Sequence, residues 1–285
     1  MKTSKISLQI LANTSIALSE ENGSVASQKR EGDSFLSISF TQPEPFNLGE
    51  TKVIPFTFDG KPVTFEVMKA PQGWTATLLK INDSGGSIAI TATNFHRQCK
   101  GSLSLILSNN ITSTKVSIAL ALDPYTIPVG TVCFENGRPV GVVFRSKTKH
   151  QKGLIVHKED TSSSWGCPSS LTYAIDRDNG SNNVNRIEAI DNTLESYPSF
   201  SWCRSHGDQW YMPSLHELLN LFYNKAEVNS RMYEIRGVPL TTDGAAYWAS
   251  NEVNDSFAWS VYFQDGHLNY HKKEYNKLVR AICAF

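Results

Sequence analysis

Apolar and polar residues alternate at period two through most of the first ~122 residues of this 285-residue chain, and no other feature limits its fold as strongly. Val63, Phe65 and Val67 alternate with Thr64, Glu66 and Met68; Leu103, Leu105 and Leu107 alternate with Ser102, Ser104 and Ile106. Successive side chains on a strand point to opposite faces, so each such run can bury one face and wet the other. Comparable runs occupy residues 5–11, 35–40, 53–58, 74–79, 87–93 and 115–122. Turn signals separate them at Asp59-Gly60, Pro71-Gln72-Gly73, Asp83-Ser84-Gly85-Gly86 and Asn109-Asn110. Several short strands with no helical pattern between them predict a β-sandwich.

Two prolines between Asp123 and Pro128 then stiffen a short extended connection. This predicts a sandwich over residues 1–122, a linker at 123–128 and a second domain over 129–285. The second part mixes periods. Asn136-Gly137 predicts a tight hairpin between strands at 132–134 and 140–145, and residues 153–157 form another strand. Helices are expected at 185–193 and 198–206. The best-marked helix starts at Ser214, where Glu217 three residues on completes a capping box. Leu215, Leu218, Leu219 and Phe222 follow as an apolar stripe. Strands return at 246–250, 257–263, 267–270 and 277–285, with Asp265-Gly266 turning the chain between two of them.

Lysine plus arginine equal aspartate plus glutamate, 27 against 27, so a general electrostatic grip on nucleic acid or an anionic membrane is not expected. No apolar run approaches the ~18–20 residues of a transmembrane helix. Lys2 and Lys5 precede a segment broken by Gln9, Asn13, Thr14 and Ser15, which reads as mature protein whose leader is absent. The five cysteines, Cys99, Cys133, Cys167, Cys203 and Cys283, form no CxxC pair, which argues against zinc-ribbon and thioredoxin chemistry.

The second part also carries an ordered set of motifs: Trp210, Pro213, Ser214, Glu217 and Leu218; Tyr247, Trp248 and Ser250; Ala258, Trp259, Phe263 and Gly266; Lys272 or Lys273; and Val279, Arg280, Ala284 and Phe285. This series resembles the family named for the C-terminal domain of the Legionella collagen-like adhesin, over about residues 128–285. The front half, through GWTATL, GSIAITA and GSLSLILSNN, looks like the Ig-like or BACON-type sandwiches of Bacteroidetes surface proteins. The resemblance implies two domains: an N-terminal all-β Ig-like sandwich acting as spacer, and a C-terminal α+β C-type lectin-like domain related to the formylglycine-generating enzyme fold. It also implies a cell-surface or extracellular, outer-membrane-associated protein, with a lipid anchor in the native precursor.

Under that reading the chain is a non-enzymatic adhesin whose partner is an extracellular glycan or glycoprotein, or a fibre tip or accessory subunit with a protein partner. The binding face is expected on the 251–256 loop and the 265–276 hairpin, through Asn251, Asn254, Asp255, His267, Asn269 and Tyr270. Carboxamides and carboxylates there suit sugar hydroxyls or calcium, and equally a polar hairpin turn. No cofactor or metal is expected, calcium staying open. His267 and His271, four apart on a hairpin, would lie ~13 Å apart, too far to share an ion. Trp248 and Trp259 are expected in the core. The lectin resemblance implies a disulfide between Cys203 and Cys283, and an ion pair between Glu217 and Arg280. No nucleophile motif such as G-x-S-x-G or HExxH is present.

Overall fold

The structure, a computed structural model, describes residues 5–7, 36–60 and 64–285. Residues 8–11 of the first expected strand, Phe35, Val63 and the rest of the N-terminal segment lie outside the described residues. The chain packs as two compact units: residues 1–94 with 99–123, and residues 95–98 with 124–285.

The first unit contains β1 (Lys5–Ser7), β2 (Ser37–Thr41), β3 (Thr51–Asp59), β4 (Thr64–Val67), β5 (Trp74–Asn82), β6 (Gly85–Ala92), β7 (Lys100–Ser108) and β8 (Ser113–Ala121). They form two antiparallel sheets, ordered β1-β2-β3-β6-β5 and β4-β7-β8. Alternation explains both. Leu103, Leu105 and Leu107 are buried with Val116, Ile118 and Leu120 on one sheet, and Ile54, Phe56, Ile88 and Ile90 are buried on the other. Phe65 of β4 stacks on Phe56 of β3 with ring centroids 4.9 Å apart, which joins the sheets across their shared core.

The second unit contains β9 (Val132–Glu135), β10 (Arg138–Arg145), β11 (Leu154–Ser164), α1 (Gly180–Glu188), α2 (Pro198–Ser205), α3 (Leu215–Tyr223), α4 (Lys225–Glu234), β12 (Ala246–Glu252), β13 (Phe257–Tyr262), β14 (Leu268–Lys272) and β15 (Asn276–Ala284). Its seven-stranded sheet runs β14-β13-β12-β15-β11-β10-β9, with β12 and β15 parallel and the other neighbours antiparallel. Asn136 and Gly137 take positive φ of 50° and 73°, as a tight β9–β10 turn requires. Helix α1 packs on β12, α2 on β11 and β15, and α3 on β13.

Several boundaries differ from the sequence expectation. The segment 95–98 packs with the second unit, where Phe95 pairs with Cys133 and its carbonyl accepts from the Phe134 N–H. Strand β11 continues to Ser164 because a bulge between Val156 and Asp160 lets its polar half keep pairing with β15. Helix α1 begins at Gly180, capped by the Asn179 side chain. Helix α4 was not expected; only Val228 and Met232 are buried, too narrow a stripe to stand out.

Candidate functional site

Buried polar groups around α1 and β12 set the shape of a surface cleft. The Ser214–Glu217 capping box forms as its spacing predicts. Glu217 is buried, and its carboxylate also accepts from the Gly180 N–H at 2.9 Å and the Tyr211 hydroxyl at 3.1 Å. Helix α1 is thereby tied by its first residue to the start of α3. Gly180 has to be glycine here, because an added Cβ would lie 2.3 Å from the Met212 carbonyl oxygen.

The expected Glu217–Arg280 pair does not form. Buried Arg280 instead binds Asp160 at 2.9 Å, and the carbonyls of His157 and Val238. The β11 bulge carries Asp160 to the register position opposite Arg280, while Glu217 is occupied at the two helix starts.

Burial raises the Glu217 carboxyl above the usual carboxylate range, against the lowering effect of its hydrogen bonds. A raised folded-state pKa adds stability that is complete below the unfolded pKa and is lost as pH rises through the folded value. Thermal unfolding from about pH 4 to pH 8 should therefore show a loss in the wild type that the near-isosteric Glu217→Gln chain lacks. Equal pH profiles would contradict this.

Between α1 and residues 173–176 lies a cleft of about 400 Å³. One wall is the extended segment 171–175. Thr172 and Ala174 are buried, whereas Leu171, Tyr173 and Ile175 are exposed. Glu252 fixes this alternation by accepting from the Thr172 N–H, the Thr172 hydroxyl and the Tyr173 N–H, while its own N–H donates to the Ala174 carbonyl. Tyr173 sits in the left-handed region at φ 56°, an uncommon conformation for an aromatic residue.

Asp176 forms the floor. Its N–H donates to Asn183 Oδ1, and its carbonyl accepts from Asn183 and Asn251. Partial burial raises its pKa, but the Asn182 amide and the N–H groups of Asp178 and Asn179 outweigh it, and the pKa falls below the ordinary value. The opposite wall is α1, from which Asn182, Asn185 and Arg186 reach the cleft. The exposed side chains of Asn185 and Arg186 make no hydrogen bond or ion pair with any described residue. A carboxylate, amides that both donate and accept, an unpaired guanidinium and an exposed phenol ring together offer donors, acceptors and an aromatic face at one surface.

The six residues nominated from sequence do not converge. Asn251 is buried, accepting from the Leu215 N–H and donating to the Asp176 carbonyl, so it braces the cleft from behind. Asn254 accepts from the N–H groups of Ser256 and Phe257 in the β12–β13 turn, and Asp255 accepts from the Ser256 hydroxyl. These are turn bonds, and the nearby carboxylate of Glu252 pairs with Lys273 at 2.8 Å. His267 is exposed at the opposite end of β13. Asn269 lies opposite Ser260, whereas Tyr270 lies opposite Trp259 on the other face of the sheet. Tyr270 approaches the surroundings of the cleft from the sheet: its ring meets Trp259 at 5.9 Å, and Arg177, the residue after Asp176, lies over Trp259 at 5.8 Å. Trp248 is in the core as expected, but Trp259 is only half-buried.

Cys203 and Cys283 are buried free thiols, so the disulfide implied by the lectin resemblance is absent. They occupy different surroundings: Arg204 neighbours Cys203, whereas Cys133, Arg97 and Glu135 neighbour Cys283. Burial pushes both thiols up, away from the thiolate form that nucleophilic or metal chemistry needs. The cleft itself was missed from sequence. Its available signal is the density of asparagine at 179, 182, 183 and 185, a poor helix former gathered into a helix.

No helix among the described residues is long and apolar enough to cross a membrane. No family model matches the chain, and no curated protein matches it. The resemblance to the adhesin-domain family therefore rests on its motif residues. A fimbrial protein from Bacteroides ovatus is a structural neighbour at 12% identity and a TM-score of 0.45, the match covering 83% of this chain and 66% of that one. The chain thus spans just under two thirds of that protein's length, and a likeness this distant carries no functional argument.

Proposed function

We propose that this chain is a non-enzymatic bacterial cell-surface protein whose second unit, a C-type lectin-like domain, binds a carbohydrate or the glycan of a glycoprotein. The first unit serves as an Ig-like spacer. The observation that carries this reading is the pair of unpartnered polar side chains, Asn185 and Arg186, across the cleft from exposed Tyr173. Multi-point hydrogen bonding beside an aromatic ring suits a saccharide, with strength added by multivalency at a surface. The lining holds one carboxylate, Asp176, whereas glycoside hydrolysis generally uses two. That favours binding over turnover.

A second reading has its own support. Leu171, Tyr173 and Ile175 present three exposed apolar side chains in a row, a surface that also fits a protein partner such as a neighbouring fibre subunit.

A broad glycan array probed with the wild-type chain and with Asn185→Ala/Arg186→Ala separates the two. Hydrogen bonds involving charged groups are worth about 1.5–3 kcal/mol, so saturable wild-type binding should fall at least tenfold in the double variant. It should persist in Asn254→Ala/Asp255→Ala and in the presence of a chelator. Binding that survives the first variant contradicts the cleft assignment. A blank array contradicts the carbohydrate reading and favours the protein partner.

A further inference from the structure

Away from the cleft, β11 and the end of α2 bring together three metal-ligating side chains. His157 and Glu159 lie within the β11 bulge, and His206 is the C-cap residue of α2. One donor atom from each falls within 4.8 Å of the other two. The two imidazoles stack with centroids 3.8 Å apart, and Trp202 and Trp210 meet them edge-on.

One polar atom in this cluster is not accounted for by the fold alone. His206 Nε2 is buried and has no hydrogen-bond partner among the described residues. His157 Nδ1 accepts from the Glu159 N–H at 3.2 Å, so that nitrogen is unprotonated, and a metal ion there would take the place of this bond. A buried nitrogen without a partner is costly unless something absent supplies one.

We propose that His157, Glu159 and His206 form a site for a divalent transition-metal ion, with zinc the best match to two imidazoles and a carboxylate. Zinc bonds of ~2.1 Å in a tetrahedral array place donors roughly 3.4 Å apart, so donor gaps of up to 4.8 Å must close by as much as ~1.4 Å. Glu159 is exposed and His206 half-buried, and both can make that adjustment. The exposed side of the cluster leaves a fourth position to water. The nearest opposing charges do not forbid a cation. The Arg280 guanidinium donates to the His157 carbonyl but is neutralised by Asp160 at 2.9 Å, and Lys158 is part-exposed. The ion would clamp the end of α2 to β11. This site is separate from the cleft and independent of any carbohydrate reading.

The test is titration of metal-stripped full-length chain with zinc chloride by calorimetry, with thermal unfolding in parallel. Wild type should bind one zinc ion per chain and unfold at a higher temperature when loaded. His206→Gln and Glu159→Gln should each weaken binding at least tenfold and remove most of the thermal shift. His267→Gln, at an exposed histidine elsewhere, should bind as wild type does. Near-UV circular dichroism of the unloaded variants verifies that they are folded. Absence of stoichiometric zinc binding overturns the proposal, as does undiminished binding by folded His206→Gln.

Discussion

Replacing Glu252 by alanine should destabilise the protein by about 3–5 kcal/mol, read as a fall in the urea midpoint at unchanged slope. Its partner Lys273 has no exposed side-chain surface, and Glu252 has 2%. Neither charge has water to fall back on. Lys273 also donates to the Ser170 carbonyl at 2.9 Å and lies over the Trp165 ring at 4.7 Å. Those contacts orient the ammonium but do not neutralise it. Removing the carboxylate strands a buried cation together with the N–H groups of Thr172 and Tyr173, which have bonded to it. Replacing both charges, as Glu252→Gln/Lys273→Met, should recover much of the loss, since a buried ion pair adds little net stability over a neutral, well-packed substitute. A loss under about 1 kcal/mol in Glu252→Ala would show that Lys273 reaches water and that the pair is not closed. The single variant should also loosen the Tyr173 wall of the cleft.

Arg280→Met should cost about 3 kcal/mol, through a different mechanism. The guanidinium is fully buried, donating to the His157, Val238 and Pro239 carbonyls, to the Tyr247 hydroxyl and to Asp160. It staples β15 to the bulged part of β11 and to the chain after α4. Methionine fills much of the same volume but satisfies none of those acceptors. Arg280→Lys should recover only part of the loss, because a single ammonium cannot span a fork of five acceptors. Full recovery by lysine, measured by the same urea unfolding, would mean that charge alone matters at this position.

These residues also show why some of the molecule was legible in its sequence and some was not. Alternating strands could be read because one face of each meets a core: Leu103, Leu105 and Leu107 are buried as their spacing predicts. The start of α3 could be read because a capping box is local, needing only Ser214 and Glu217. Strand β12 defeats the same logic. All seven of its residues, Ala246–Glu252, are buried, so it has no polar face and its last residues pass for a loop. Asn251 therefore looked like an exposed ligand when it is an internal brace. The ion pairs failed at a different level. Glu217, Glu252, Lys273 and Arg280 are all buried, and each has a polar or charged partner. Which acid meets which base, however, is set by the β11 bulge and by the path of residues 171–176, neither of which leaves a local pattern. The cleft was hidden because the helix was expected only from residue 185, which leaves Asn179, Asn182 and Asn183 outside it, and no local pattern lays residues 173–176 across them.

Heteronuclear NMR of the isotope-labelled chain, titrated with a sugar that binds on the array, locates the ligand most directly. A carbohydrate site in the cleft predicts saturable shifts at the amides of Tyr173, Asp176, Asn182, Asn185 and Arg186, with the 253–256 turn and His267 unmoved. Shifts centred on that turn and hairpin, with the cleft residues silent, would contradict it.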